Sequence, residues 1–521
     1  MVVFENLRFF DGERFVRGQI AAGRGLITAV GKRLWGKGER RDLDHAYVAS
    51  AFNDCHCHIS TLAESFSMVD VGPEECPTVE AALAALTGFA DEHPYRSWII
   101  GHRFAQAAVA ERRYPTRAEL DAVAPGRAVC VWHASRHGII ANSKALEIAG
   151  IGLDTPDPPG GRIDRDPSGW PTGALFENAT ILLRRCTPRM GREELSDNLL
   201  RAAAHLNSMG ITAATDASSF QFGREDEIWA YERATEEGMA LRVRLTPLLG
   251  LLREEGGVPL TDEWDPWPSH PSLAIGGVKL FSDGAIGTRT AAVSGGFQDA
   301  ESGMLIHDDE ELAAQVLDVH RAGRQALVHA IGDRAVESAL GAFEAAQAQI
   351  PRFEARHRVE HAMVLTPELI QRLAASETVV ALQPEFLRHF GEDYIRALGD
   401  RALRVKPFRS LVEAGVPFGF GSDLPIVPGS PGDGLLAAVT RRTAKETQFE
   451  ETESLTPAEA LRAYTAGSAY AGFQEHELGS VAPGFRADFV LFRYNPLEVL
   501  AAGAAPTPTA TIFDGETVWT G

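Results

Sequence analysis

From about residue 51 to residue 475, short apolar runs alternate with stretches whose apolar positions recur every three or four residues. The runs "AVCVWHAS", "GITAATDA", "LRVRLTPLL", "IGGVKLFSDG", "QALVHAIG", "HRVEHAMV", "TVVALQPEF" and "VPFGFGSDLP" predict strands, and several are apolar on consecutive positions, as strands covered on both faces are. Segments such as "ELSDNLLRAAAHLNSMG" and "DDEELAAQVLDVHRAG" predict the intervening helices. Strand–helix repetition over this length predicts an α/β chain built as a (β/α)8 barrel. The first 50 residues and the last 45 or so read differently, as short strands punctuated by turns ("VVFENLRFFDG", "LGSVAPGFRADFVLFRYNP", "PTATIFDGETVWTG"). The expected division is therefore a small β-sandwich from residues 1–50 plus 476–521, and a catalytic barrel over 51–475. The stretch 153–173, "LDTPDPPGGRIDRDPSGWPTG", carries turn residues throughout and reads as a loop over one end of the barrel.

Composition narrows the partners. The 521 residues are 45% hydrophobic and carry a formal charge of −21, which argues against nucleic acid or an anionic membrane surface and for a small-molecule substrate. No run of 18 apolar residues is present, and the N-terminus lacks a basic segment followed by an apolar one. Five scattered cysteines do not form a disulfide pattern. A cytoplasmic enzyme is expected; a homo-oligomer is compatible with these features.

The candidate chemistry begins in "NDCHCHIS", residues 53–60. Residues two apart on a strand share a face, so Asp54, His56 and His58 point one way and Cys55 and Cys57 the other. Two imidazoles on one face can hold one divalent cation, while the cysteines read as small apolar fillers. His329, His361 and Asp423 each close a further apolar run, at the strand ends where catalytic groups converge in such barrels. Buried imidazoles and carboxylates cost several kcal/mol unless paired or metal-bound, so four such strand ends are hard to read as packing.

Here the chain resembles the metal-dependent amidohydrolase superfamily. "KLFSDGAIGTRTA", "HAIGDRAV", "RVEHA", "LQPEF", "FGSDLPI", "LTPAEALRAYTAGSA" and "LGSVAPGFRADFVLF" resemble its YtcJ-like branch, which includes N-substituted formamide deformylases. The resemblance implies a divalent metal, zinc foremost, as one or two ions. It places His56 and His58 on the more buried metal, His329 and His361 on a second, and Asp423 on metal and in proton transfer. Lys279 falls where many relatives hold a carboxylated lysine between two metals; pairing with Asp283 or a substrate carboxylate is the alternative, and Glu177 is a competing acidic ligand. "VWHASRHGIIANSKAL" also resembles the branch: His137 is the candidate for the substrate carbonyl, ahead of His133, and Asn142 reads as a helix cap. Arg289 is a candidate for holding a carboxylate or orienting a loop. One departure stands out: relatives usually carry Pro-Gly before the first ligand strand, whereas this chain has "VASAFNDCHCH" with Ala51.

The chemistry implied is hydrolysis of an amide, N-acyl or N-formyl C–N bond by metal-activated water. The alternatives are a hydrolytic deaminase or cyclic-amide hydrolase on the same site, and a non-catalytic scaffold. Phe66, Trp170, Phe176, Phe220 and Phe386 suggest an aromatic or apolar substrate.

Overall fold

The computed structural model describes residues 1–35, 38–254, 270–301 and 303–521. Its centre is a set of parallel strands in two hydrogen-bonded sheets. One runs Phe52–Cys57, Ile211–Ser219, Arg242–Pro247, Leu273–Ile275; the other runs Val278–Phe281, Ala326–Ala330, Arg358–His361, Val379–Leu382, Phe418–Phe420. Within each sheet, successive strands in the chain are neighbours. Helices fill the connections, and the chain starts several of them with a capping side chain: Asp308 accepts from Glu311 N (2.8 Å), Thr366 from Leu369 N and Ser430 from Asp433 N. Seven of the eight runs expected as barrel strands lie in these two sheets.

The two sheets meet at both edges without becoming one ladder. At one edge a single parallel bridge joins Leu248 to Lys279. At the other, the last strand lies against the first: Asp423 N donates to His56 O (2.7 Å) and His58 N to Leu424 O (2.8 Å). Glycine is required there, because a Cβ on Gly421 would sit 2.6 Å from His56 N. Asp54 locks the same edge, accepting from Ser422 N (3.0 Å) and Ser422 Oγ (2.5 Å).

A third sheet is inserted between the first two core strands. Its order is Gly161–Arg165, Pro171–Glu177, Gly138–Ala141, Ala128–His133, Trp98–Phe104, Val69–Asp70. Two sequence expectations are corrected here. "AVCVWHAS" belongs to this sheet, not to the core strands, because a buried run looks alike in either place. The stretch 153–173 is not wholly a loop: Gly161–Arg165 and Pro171–Glu177 pair antiparallel. Residues 153–160 remain a loop, while the turn residues of 166–169 belong to the hairpin itself, where Asp166 accepts from Ser168 N (2.8 Å) and Trp170 N (3.1 Å) and Gly169 takes φ +89°.

Both chain ends join in one eight-stranded sheet, with Tyr47–Ser50 pairing antiparallel with Phe489–Phe492. Phe4, Ile20, Val48 and Phe489 form its buried face. Arg242 pins this sheet to the core, bonding Asp488 (3.1 and 3.2 Å) and Asp514 (2.5 Å).

Candidate metal centre and active-site cavity

The ends of the core strands open into one cavity of about 980 Å3. At its floor, His56, His58 and Asp423 bring one ligand atom each to within 4.8 Å of one another. His56 Nε2 and His58 Nε2 lie 3.3 and 2.9 Å from Asp423 Oδ1. Strand alternation delivers both imidazoles from Phe52–Cys57, and the seam with Phe418–Phe420 delivers the carboxylate. Cys55 turns away to pack on Val379, Ala381 and Ala471, and Cys57 bonds Thr215 O. Burial pushes the Cys55 thiol up to about 12, so neither geometry nor ionisation suits these thiols to a cation. Asp54, on the histidine face, is spent on the seam with Ser422 and on His56 N (3.1 Å).

The donor set fits a divalent cation. His56 Nε2 and Asp423 Oδ1 are buried and make no well-directed hydrogen bond among the described residues, although His56 Nε2 and His58 Nε2 both crowd that oxygen at 3.3 and 2.9 Å. Burial alone would raise the Asp423 carboxyl; the imidazoles of His56, His58 and His361 reverse this and hold it well below the usual carboxylate range.

His361 and His329 stand beside this cluster without joining its three ligand atoms. The His361 ring centroid is 4.8 Å from that of His56 and 4.6 Å from that of His329. His361 Nδ1 lies 2.9 Å from Gln383 Oε1, which also receives Lys406 Nζ (3.3 Å). With its proton on Nδ1, His361 keeps Nε2 as the free acceptor. His329 Nε2 lies 3.0 Å from Gly284 O, leaving Nδ1 free. Lys279 is buried in the cavity wall, where desolvation lowers its ammonium to about 8 despite Glu360 and Asp423. Asp283 is not its partner: that carboxylate accepts from Ala292 N, Ile331 N and Gly332 N (2.8–2.9 Å).

The inserted sheet forms the opposite wall. Register places Glu177 beside His137, with Glu177 N donating to His137 O (2.9 Å) and His137 Nδ1 lying 2.7 Å from Glu177 Oε2. Thr290 Oγ1 donates to the other carboxylate oxygen. Glu177 thus orients His137 and does not reach the His56–His58–Asp423 cluster. Burial works against the imidazolium of His137, yet Glu177 outweighs it and raises the ring above its ordinary value. His133 lines the same wall, with Nδ1 2.7 Å from Ser135 Oγ. Asn142 does cap its helix, accepting from Ala145 N (2.9 Å). Arg289 is held elsewhere, bidentate to both Asp299 and Asp393 (2.7–2.9 Å), and does not line the cavity. Of the aromatic residues suggested for substrate, Phe386 lines the cavity; Phe66, Trp170, Phe176 and Phe220 do not.

With this geometry the comparisons agree. The model of the amidohydrolase family matches residues 39–519. The chain belongs to the amidohydrolase family. This amidohydrolase is 32% identical over 506 residues to YtcJ of Bacillus subtilis, covering 94% of this chain and 93% of that protein. It is 29% identical over 517 residues to the N-substituted formamide deformylase of Arthrobacter pascens, covering 96% and 94%. Among solved structures, an uncharacterized metal-dependent hydrolase from Pyrococcus horikoshii superposes with a TM-score of 0.75 at 26% identity, covering 96% of this chain and 99% of that one.

Two features of the amidohydrolase site escape a residue-by-residue reading of the motifs. The first is Glu360, fully buried, whose Oε2 pairs with His56 Nδ1. Arg358 holds the same carboxylate through Nε and Nη2 (2.8 Å each). Burial opposes the charge on Glu360, but Arg358 and His56 overcome it and keep the group ionised far below the usual range. The available signal was Arg358-x-Glu360: opposite charges two apart, on one face of the short strand Arg358–His361. The second is backbone strain. His361, Asp423, Glu177 and Ser218 adopt φ of +74°, +63°, +52° and +83°, conformations costing about 1–3 kcal/mol each that cluster where geometry serves function.

Proposed function

We propose that this amidohydrolase cleaves an amide, N-acyl or N-formyl C–N bond of a small molecule, with His56, His58 and Asp423 holding a divalent cation, zinc foremost. The observation that carries this reading is the pair of orphaned buried atoms, His56 Nε2 and Asp423 Oδ1, facing one point at the cavity floor. His361 and His329, with Lys279 free or carboxylated, are the groups for a second cation. A bound divalent cation supplies a water acidified from 15.7 toward ~7 and a Lewis acid for the scissile carbonyl. Asp423, kept ionised, would accept a proton from the attacking water and hand it to the leaving nitrogen. His137, with Nδ1 anchored on Glu177, offers Nε2–H to the carbonyl oxygen as negative charge develops there.

The same reading takes the two core sheets as one closed (β/α)8 barrel, with the consecutive segments Leu273–Ile275 and Val278–Phe281 sharing one of the eight strand positions, supported by the Leu248–Lys279 bridge and the Asp54–Ser422 seam. It takes 1–50 with 476–521 as a separate β-sandwich domain beside 51–475. Five free cysteines favour a reducing, cytoplasmic setting, and among the described residues no helix is long and apolar enough to cross a membrane.

The test is turnover of N-formyl and N-acyl amines, following acid and amine release alongside elemental analysis of the purified protein. The carboxylic acid (formate from the N-formyl substrates) and the amine in equal amounts, with at least one divalent ion per chain, are expected. Release of ammonia would move the activity to deamination. Absence of any ion, with activity indifferent to chelator, would overturn the metal reading.

A further inference from the structure

The cavity reverses the charge of the molecule around it. On a chain of formal charge −21, its described lining residues include ten Lys or Arg and six Asp or Glu. Four of the ten cations are already neutralised: Arg103 by Asp70 and Glu74, Arg136 by Glu64, Arg388 by Asp433, Arg396 by Asp393. Arg184 is not. It ends the helix Ala179–Arg184, half-buried in the wall, and its guanidinium donates to the neutral amide oxygen of Gln221. Among the described residues it forms no ion pair.

Its surroundings sharpen the need for an anion. Gln221 cannot serve as one, and its own amide nitrogen is committed to Ser218 O (2.6 Å). Desolvation lowers the Arg184 pKa, and Glu64 and Glu227 offset this only in part because Arg136 and Arg189 repel the guanidinium. Ser218, on the same wall, has a buried hydroxyl with no partner among the described residues, on backbone held at φ +83°. A half-buried guanidinium without an ion pair has lost part of its hydration, and an oxyanion in place would compensate that loss. The wall is close to the chemistry, because Thr61 and Glu64, which also line it, belong to the helix Ile59–Ser65 directly after His58.

We propose that Arg184, backed by Arg189, forms a subsite for an oxyanion on the substrate, a carboxylate or phosphate carried at the end remote from the C–N bond that is cut. The inference rests on the hydrolytic reading for which bond is cut, and on the cavity alone for the anion. A guanidinium fork matches either oxyanion with paired N–H donors. The substrate class is thereby narrowed to acidic amides: the apolar lining at Phe281 and Phe386 takes the body and Arg184 the charged end.

Two measurements on the metal-loaded protein test this. Calorimetry compares 4-methylbenzoate, 4-methylphenylphosphonate and neutral 4-methylbenzamide as ligands, independently of turnover. Kinetics compares N-formylbenzylamine with its para-carboxylate and para-phosphonate derivatives. One anion is expected to bind about 10–100-fold more tightly than the amide, with the advantage shrinking as salt rises, and the better anion identifies the headgroup. The advantage should collapse in Arg184→Met and fall in part in the exposed Arg189→Met, which serves if Arg184→Met does not fold. Equal binding of charged and neutral ligands, or an advantage that survives both substitutions and so lies at the metal, overturns the subsite. Anion binding that depends on Arg184 without any formamide turnover supports the subsite and removes the amide-hydrolase reading instead.

Discussion

Glu360 offers the most discriminating perturbation, because it touches His56 from behind and never faces substrate. Replacing it with glutamine keeps the shape and removes the charge. One amide oxygen can still accept from Arg358, but the amide NH2 must then face donors: Arg358 Nη2, now 2.8 Å from Oε2, and the Nδ1 proton of His56. The guanidinium is left in a site where it is about 1% exposed with half its partner gone. Breaking a buried pair in this way costs about 3–5 kcal/mol of stability. The second effect is specific. A carboxylate behind a ligating imidazole orients the ring and raises its basicity, and its loss typically costs about 10–100-fold in metal affinity, equal to about 1.4–2.8 kcal/mol. Competition of Glu360→Gln against a chromophoric chelator measures this directly, with denaturant unfolding of the metal-free forms run in parallel. Glu360→Asp, which keeps the charge and shortens the reach, should recover part of the affinity. A Glu360→Gln protein that binds zinc within twofold of wild type, whatever its stability, would refute the coupling between Glu360 and the metal site.

Other expectations follow from single features. Asp423→Asn should lower kcat by about 10²–10⁴-fold in a protein that still unfolds cooperatively; full turnover by the folded variant would remove Asp423 from proton transfer. Exhaustive chelation should abolish hydrolysis, and added zinc should restore it. Acid stability should depend on a buried relay in which Ala326 N donates to His357 Nδ1 (3.0 Å), His357 Nε2 to His320 Nδ1 (2.8 Å) and His320 Nε2 to Ile350 O (2.7 Å). Burial, with repulsion from His320 and Arg352, pushes His357 down to about 3. Below pH 6.5 the unfolded chain therefore binds the proton that the folded one refuses. The stability present above that pH is lost as pH falls toward 3, by about 2 kcal/mol at pH 5. His357→Gln should lose less between pH 7 and pH 5 in urea unfolding; an equal loss would show that this relay does not govern the acid limb.

What could be read from the sequence was what strand periodicity exposes. Polar residues at the ends of strand-like runs located His56, His58, His329, His361 and Asp423 around the floor of one cavity, since a strand's direction fixes where its last side chain emerges. The inserted sheet was hidden because its hairpin is short and its turn, Asp166 to Gly169, dominates the local composition. Glu360 was hidden next to His361, where spacing gives a face but not the partner across the core. Arg289 illustrates the converse limit: its partners lie 10 and 104 residues away, and no local pattern announces that a guanidinium is already satisfied.

The Asp54–Ser422 clamp spans 368 residues of chain, and the cluster it braces has a matching handicap in time. During synthesis, His56 and His58 emerge early, while their third companion waits for the final core strand to be made and to travel back across the whole molecule. A nascent chain is thus unable to load a cation at this cluster before nearly all of it has been translated, and a fragment stopping short of Ser422 would display both histidines without an intact site. Occupancy would then report that the first and last core strands have met, and a cation bound there would resist their separation in proportion to its affinity.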